Sequence, residues 1–244
     1  MHRFYAPDIA QSLELPEPES RHAARVLRLA DGDLVEVVDG RGGLHTCRIV
    51  SASSKRCALQ IVDSRLITPH WGHEIALAIA PTKNLDRMEW LVEKATEMGV
   101  DKIIPLLCRH SERKELKTDR LLRVAVAAMK QSLKATVPEI TRLTPVGEVL
   151  RNSAHKQKLI AYCGEGFPKL GLPQCYAPGL DTIALIGPEG DFSPEEVQAA
   201  MAVGFVPVSL GESRMRTETA GIFIIAAMHA IDQATHSCQN GAAG

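Results

Sequence analysis

Five short, almost wholly apolar runs constrain this chain more than any other feature: "IALAIA" (75–80), "KIIPLL" (102–107), "KLIAYC" (158–163), "TIALIG" (182–187) and "FVPVSL" (205–210). None alternates apolar with polar, so each reads as a strand buried on both faces. Helical patterns lie between and after them. "LDRMEWLVEKATEMG" puts Met88, Leu91, Val92, Ala95 and Met98 on one stripe and stops at Gly99. "TDRLLRVAVAAMKQSLKA" (118–135) predicts the next helix, and further helices are expected at 194–203 and about 217–235. Strand–helix alternation of this kind specifies an α/β domain with a mostly parallel sheet covered on both sides.

The first 65 residues or so differ. "DLVEVVDG", "LHTCRIV" and "RCALQIV" are short β-rich runs, and Asp39 to Gly43 between the first two is a hairpin signal. "ESRHAARVLRLADGD" predicts one short helix and a turn at Asp31-Gly32. A small β-barrel or sandwich fits. "SRLITPHWGHE" (64–74) reads as a linker. The expected boundaries are therefore 1–68 and 74–236, with 237–244 a disordered tail.

Residues 185–196, "LIGPEGDFSPEE", run from the end of a buried strand into a helix started by Ser193, Pro194 and Glu196. In open α/β sheets ligands bind at that edge. Phosphate motifs are absent: there is no G-x-x-x-x-G-K-[ST], and G-P-E-G lacks the G-x-G-x-x-G spacing. Pro188 removes an N–H, and Glu189 and Asp191 would repel a pyrophosphate. A neutral or cationic cofactor suits the turn better, and S-adenosylmethionine is one. A second strand end, "SLGESRMRTETAGIFIIAAMHAI" (209–231), repeats the pattern, with Thr217 or Thr219 as helix cap and Glu218 near the positive helix end.

Net charge is −1, but it is unevenly spread. From Lys102 to Lys134 nine bases face three acids, and from Asp181 to Asp232 eight acids face two bases. A basic region beside an acidic one suits a protein that binds a polyanion on one face. Aromatics are only 4%, so stacking cannot be the main grip on a nucleic acid. Six cysteines without C-x-x-C pairs read as reduced, mostly buried thiols of a cytoplasmic protein. No apolar run has membrane-span length, and "MHRFYAPDIA" lacks the apolar core of a signal peptide. His70-x-x-His73 has no acid or cysteine at metal spacing, so no metal site is expected. His229 on the apolar last helix reads as a packed core histidine.

"GPEGDFSPEE", followed some 20 residues later by "LGESRMRTETA", resembles the RsmE family of ribosomal RNA methyltransferases, members of the SPOUT class. "HRFY", "HAARVLRLADGDLVEVVDGRG", "EKATEMGVDKIIPLLCRHS" and "KQSLKATVPEI" extend the resemblance along the chain in the family's order. It implies an N-terminal PUA-like β-barrel that binds RNA and a C-terminal SPOUT domain with a trefoil knot. It also implies a homodimer, S-adenosylmethionine as cofactor, and methylation of N3 of a uridine in the decoding region of 16S ribosomal RNA. Carried over, the cofactor residues are Gly164, Ile186, Gly187, Gly190, Leu210, Gly211, Met215 and Arg216. The chain departs from the family at Asp191, where a third glycine is usual, and at Ser213-Arg214, where Arg and an aliphatic residue are usual.

Attack by uridine N3 requires loss of its proton, so a base, or a cation that stabilises the uracil anion, is expected. Arg216 is the candidate cation, with Glu218 and Glu189 as candidate bases; the residues leave the base open, and Glu218 reads more readily as a first-turn helix acid. RNA contacts are expected from Arg3, Arg21, His22, Arg25 and Arg28 in the first domain and from Arg109, Arg113, Lys114, Gln131 and Lys134 in the second. The small ribosomal subunit is the expected partner. The alternatives are a SPOUT enzyme with another RNA target and a non-catalytic, RNA-binding assembly factor.

Overall fold

The computed structural model describes the backbone of residues 1–241 and side chains as far as Thr235. Two compact units emerge: residues 1–70 together with 126–137, and residues 71–125 together with the chain from 138 onward.

The first unit contains β1 (Arg3–Tyr5), α1 (Ile9–Ser12), β2 (Glu14–Leu15), α2 (Glu17–Arg21), a π-helical turn (His22–Val26), β3 (Leu34–Val38), β4 (Gly43–Ser51) and β5 (Cys57–Leu66). The strands form one sheet in the order β1-β3-β4-β5-β2, parallel only between β1 and β3. Its core gathers Phe4, Val35, Val37, Cys47, Ile49, Cys57 and Leu59. The expected hairpin forms between β3 and β4. Gly40 and Gly42 take φ of +79° and +103°, and Asp39 Oδ1 accepts the N–H groups of Arg41 (2.7 Å) and Gly43 (2.9 Å). β5 continues to Leu66, paired with β4, so the expected linker is strand as far as residue 66.

In the second unit, β6 (Ile75–Ile79), α3 (Leu85–Met98), β7 (Lys102–Leu107) and the first half of α4 (Asp119–Gln131) come first. β8 (Glu139–Ile140), β9 (Thr144–Pro145), α5 (Val146–Asn152), β10 (Gln157–Ala161), β11 (Leu170–Gly171) and α6 (Leu172–Cys175) follow. β12 (Thr182–Ile186), α7 (Pro194–Ala202), β13 (Val206–Ser209) and α8 (Thr217–Gly241) complete it. The main sheet runs β11-β13-β10-β12-β6-β7-β8, every pair parallel, with β9 beside β7. Every residue of β6 and β12 is buried, which is why their sequences show no alternation. Ala76 and Ala78 of β6 pack with Val149 of α5 and Val197 of α7. On the opposite face α8 comes so close to β6 and α3 that a Cβ on Gly221 would lie 2.7 Å from Ile79 Cδ1 and from Leu91 Cδ1.

Two helices end elsewhere than expected. α4 stops at Gln131, because Leu133 turns left-handed (φ +58°) while the Lys134 N–H reaches Met129 O at 3.0 Å. That is a glycine-type helix stop built without a glycine. The last turns of α4, with residues up to 137, pack in the first unit, where Met129 and Ala135 meet Val38 and Leu44. α8 passes the expected end and reaches Gly241, since no Gly or Pro interrupts residues 222–240. It thereby takes in part of the expected tail; residues 242–244 lie outside the described ones.

Candidate active site at the ends of three parallel strands

The chain leaves the carboxyl ends of β10, β12 and β13 in three loops that enclose an open cleft of about 970 Å³. Gly164, Ile186, Gly187, Gly190, Leu210, Gly211, Met215 and Arg216 all line it, so the structure brings all eight sequence-derived cofactor residues together. Local contacts explain the glycines. A Cβ at Gly187 would lie 3.1 Å from both the Phe192 ring and its amide nitrogen, and one at Gly190 would lie 3.1 Å from His110 Cβ. At Gly164 it would run into the Tyr162 hydroxyl. Gly211 is required for its backbone instead, with φ +116°.

Side chains then tie the loops to one another. The Thr217 hydroxyl donates to Gly187 O at 3.2 Å, joining the start of α8 to the β12 loop. Ser193 and Glu196 form the expected capping box: Ser193 Oγ accepts the Glu196 N–H at 3.3 Å, and Glu196 Oε2 accepts the Ser193 N–H at 2.9 Å. Asp191 adopts φ +62° and its carboxylate crosses to the β10 loop, accepting the N–H groups of Cys163 (2.9 Å) and Gly164 (3.1 Å). Lys169, Arg214 and Arg216 balance Glu189, Asp191 and Glu212 around the cleft. Asp191, Lys169 and Arg214 join the expected residues on the cleft wall; the sequence marks Asp191 and Arg214 only as departures from the family pattern, and the bond of Asp191 to the β10 loop, 27 and 28 residues away, has no local signal.

The candidate bases separate. Glu189 is exposed on the cleft wall, its Oε1 3.4 Å from the Lys83 amide nitrogen. Glu218 does not join the cleft. One helical residue turns the side chain about 100°, so Thr217 faces Gly187 while Glu218 is buried, 3.7 Å from Arg87 Nε of α3.

Several expected RNA contacts are engaged within the protein. Arg3 is nearly buried against Glu36 at 2.7 Å and reaches Lys134 O at 3.4 Å. Arg21 pairs with Glu17 at 2.7 Å on the exposed face of α2. Arg109 pairs with Glu195 at 3.1 Å, and Arg113 donates to Lys83 O at 2.7 Å. His22, Arg25, Arg28, Lys114 and Gln131 are exposed. Gln131 and Lys134 belong to the segment that packs in the first unit.

His229 packs as expected of a core histidine, edge-on to Trp71 and donating through Nε2 to Gly99 O at 2.7 Å, since a carbonyl partner requires Nε2 to carry the proton. His73 Nδ1 lies 2.6 Å from Trp71 O and its Nε2 3.1 Å from the Tyr176 hydroxyl. Cys47, Cys57 and Cys108 are buried, but Cys163 is exposed on the cleft wall. Burial pushes the Cys47 thiol up to about 11 and that of Cys108 to about 12. At pH 8 iodoacetamide is therefore expected to label Cys163 in the native protein and to leave Cys47 and Cys108 unmodified until the chain is unfolded. Peptide mass mapping checks this, and labelling of Cys108 in the native state would contradict the packing.

With this geometry in place, comparison with known proteins identifies the fold. Residues 69–229 match the family model described as an RNA methyltransferase domain, and residues 15–62 match an RNA methyltransferase PUA domain. The ribosomal RNA small subunit methyltransferase E of Mesomycoplasma hyopneumoniae is 31% identical over 92% of this chain and 97% of its own. A crystal structure of a probable rRNA-methyltransferase from Porphyromonas gingivalis superposes with a TM-score of 0.92 at 43% identity, over 96% of this chain and all of that one. Ribosomal RNA small subunit methyltransferase E from Neisseria gonorrhoeae, bound to S-adenosyl methionine, superposes with a TM-score of 0.84 at 28% identity over 95% of this chain and 98% of that one. With an N-terminal PUA-like domain, a parallel α/β domain and a glycine-built cleft at the strand ends, this chain belongs to the ribosomal RNA small subunit methyltransferase E family.

Proposed function

We propose that this protein transfers a methyl group from S-adenosylmethionine to N3 of a uridine in 16S ribosomal RNA, acting in the cytoplasm on the assembled small subunit. One observation carries the reading: the eight residues that the family resemblance assigns to the cofactor converge on one cleft, in a chain that superposes over 95% of its length on a Neisseria relative bound to that cofactor. The cleft suits the ligand. About 970 Å³ falls within the roughly 300–1,000 Å³ of small-molecule sites. Gly164, Gly187 and Gly190 let the loop backbones close tightly on Tyr162, Phe192 and His110, and the mixed charges suit a ligand with a sulfonium and an amino acid but no phosphate.

Bound S-adenosylmethionine supplies an electrophilic methyl group. The chain supplies position and charge. Gly164, Ile186, Gly187, Gly190, Leu210, Gly211 and Met215 would hold the cofactor. Arg216, exposed beside the first turn of α8, would stabilise the uracil anion together with the positive end of that helix. Of the two candidate bases, Glu189 lines the cleft and would take the substrate proton, whereas Glu218 serves the α3–α8 contact through Arg87. Exposed His22, Arg25, Arg28 and Lys114 are assigned to RNA phosphates. A homodimer is part of the proposal: Trp90 of α3, Leu122 of α4 and Phe223 of α8 are each 43–45% exposed, an apolar set that a second copy would cover. The implied trefoil knot is part of it too.

The test uses small subunits from cells lacking this gene, purified protein and methyl-labelled S-adenosylmethionine, with the labelled nucleoside identified after digestion. Labelled 3-methyluridine at a single site is the expected result. Label in another nucleoside would overturn the target, and absence of both label and cofactor binding would favour the assembly-factor reading.

A further inference from the structure

We infer that Asp191 is a positioning residue, whose carboxylate fixes the Cys163-Gly164 dipeptide in the shape the cofactor cleft requires; the inference rests on the cofactor reading above. The sequence marks the position as a departure, with an aspartate where the family usually has glycine. The backbone confirms that the site favours glycine, since φ is +62° and the Asp191 N–H closes a tight turn onto Pro188 O at 2.9 Å. Asp tolerates this region better than most residues, yet it gains nothing there from the backbone alone. The gain lies in its side chain. Oδ2 accepts the N–H groups of Cys163 (2.9 Å) and Gly164 (3.1 Å), 28 and 27 residues away, while Oδ1 accepts the Phe192 N–H at 2.8 Å.

The same dipeptide is held from its other side. Lys169 Nζ donates to Cys163 O at 3.2 Å and Gly164 O at 2.8 Å and lies 5.7 Å from the centroid of the Tyr162 ring. A carboxylate thus pins both N–H groups and an ammonium pins both C=O groups, and all four residues line the cleft. Hydrogen bonds to charged partners are the stronger kind, and they act here across the loops of two adjacent strands, β10 and β12. Two adjacent N–H groups at a strand end would otherwise be ready donors for a phosphate oxygen. Here a built-in anion occupies them, and the cleft wall is rigid before any ligand arrives. A preorganised wall raises affinity by removing the ordering cost of binding.

The experiment compares the wild type with Asp191→Gly, which keeps the backbone conformation and deletes the carboxylate, and with Asp191→Asn, which keeps size but loses part of the acceptor set. Amide hydrogen exchange at Cys163 and Gly164 is measured without ligand. Calorimetry then measures affinity for S-adenosylmethionine and S-adenosylhomocysteine, and single-turnover transfer is followed at saturating cofactor. For Asp191→Gly, exchange at both amides is expected to quicken and the Kd for both ligands to rise, each by about tenfold or more. The melting temperature and the saturated rate should stay near wild type, with Asp191→Asn between. Unchanged exchange would overturn the clamp. Faster exchange with unchanged Kd would overturn the positioning role and leave the cofactor reading intact. A wild type that binds neither ligand would overturn that reading and this role together.

Discussion

Arg216→Ala is expected to slow methyl transfer by about a hundred- to a thousand-fold at saturating cofactor, the range seen when one preorganised electrostatic donor is removed from an active site. In the proposed reaction the substrate atom is uracil N3, which keeps its proton at neutral pH, so the attacking form would carry negative charge that must be stabilised as it develops. Arg216 is the last residue before α8, exposed, on the cleft wall, with its carbonyl accepting the Ala220 N–H at 2.8 Å. Its guanidinium and the N-terminus of a long helix therefore bring positive potential to the same place. Arg216→Lys retains charge but loses the planar fork of donors, and should recover only part of the rate. Arg214→Ala is the control, since Arg214 also lines the cleft but lies two residues farther from the helix. Single-turnover transfer and calorimetry separate the roles. A loss in rate with near-normal cofactor affinity supports anion stabilisation, and a loss confined to affinity would make Arg216 a cofactor ligand only. A rate within threefold of wild type would remove it from the chemistry.

What could be read from sequence divides along a physical line. β7 occupies its expected residues, Lys102–Leu107, and the Ser193–Glu196 capping box forms as written, because both depend on neighbours within a few positions. The cleft was legible for a related reason: glycines after buried strands mark backbone turns at the sheet edge where ligands bind. Residues whose role depends on distant partners were not. Arg3 and Arg113 look like free cations in a basic stretch, yet Glu36 and the Lys83 carbonyl take them up. Glu218 reads in sequence as a candidate base beside a cofactor loop, and nothing local foretells that the phase of α8 turns it toward Arg87. Between residues 138 and 176 the strands β8, β9 and β11 have two residues each, too few to show any period. The break at Leu133 carries no glycine to announce it.

Gly99 shows how a correct local reading can conceal the larger part of a residue's role. Its sequence position predicts a helix stop, and it does end α3, with φ 112° and ψ 97°, a conformation reserved for glycine. The surroundings demand more. A Cβ at this position would lie 2.5 Å, 2.6 Å and 3.1 Å from three atoms of the Trp71 ring. That ring cannot move aside cheaply: it is 6% exposed, its Nε1 donates to Asp101 Oδ2 at 2.9 Å, and it packs against His229. The Gly99 carbonyl is itself the partner of His229 Nε2 at 2.7 Å, so shifting the backbone instead would break that bond on α8. Gly99→Ala combines backbone strain of about 1–3 kcal/mol with overpacking of about 1–3 kcal/mol, and is expected to cost about 3–5 kcal/mol in urea unfolding. Trp71→Leu should cost about 2–4 kcal/mol on its own through lost packing. In the double variant the steric part disappears, so the two costs should fall short of additivity by about 1–3 kcal/mol, leaving the backbone part. Full additivity would mean that the Trp71 ring does not constrain this position, and the cost of Gly99→Ala would then rest on the backbone alone.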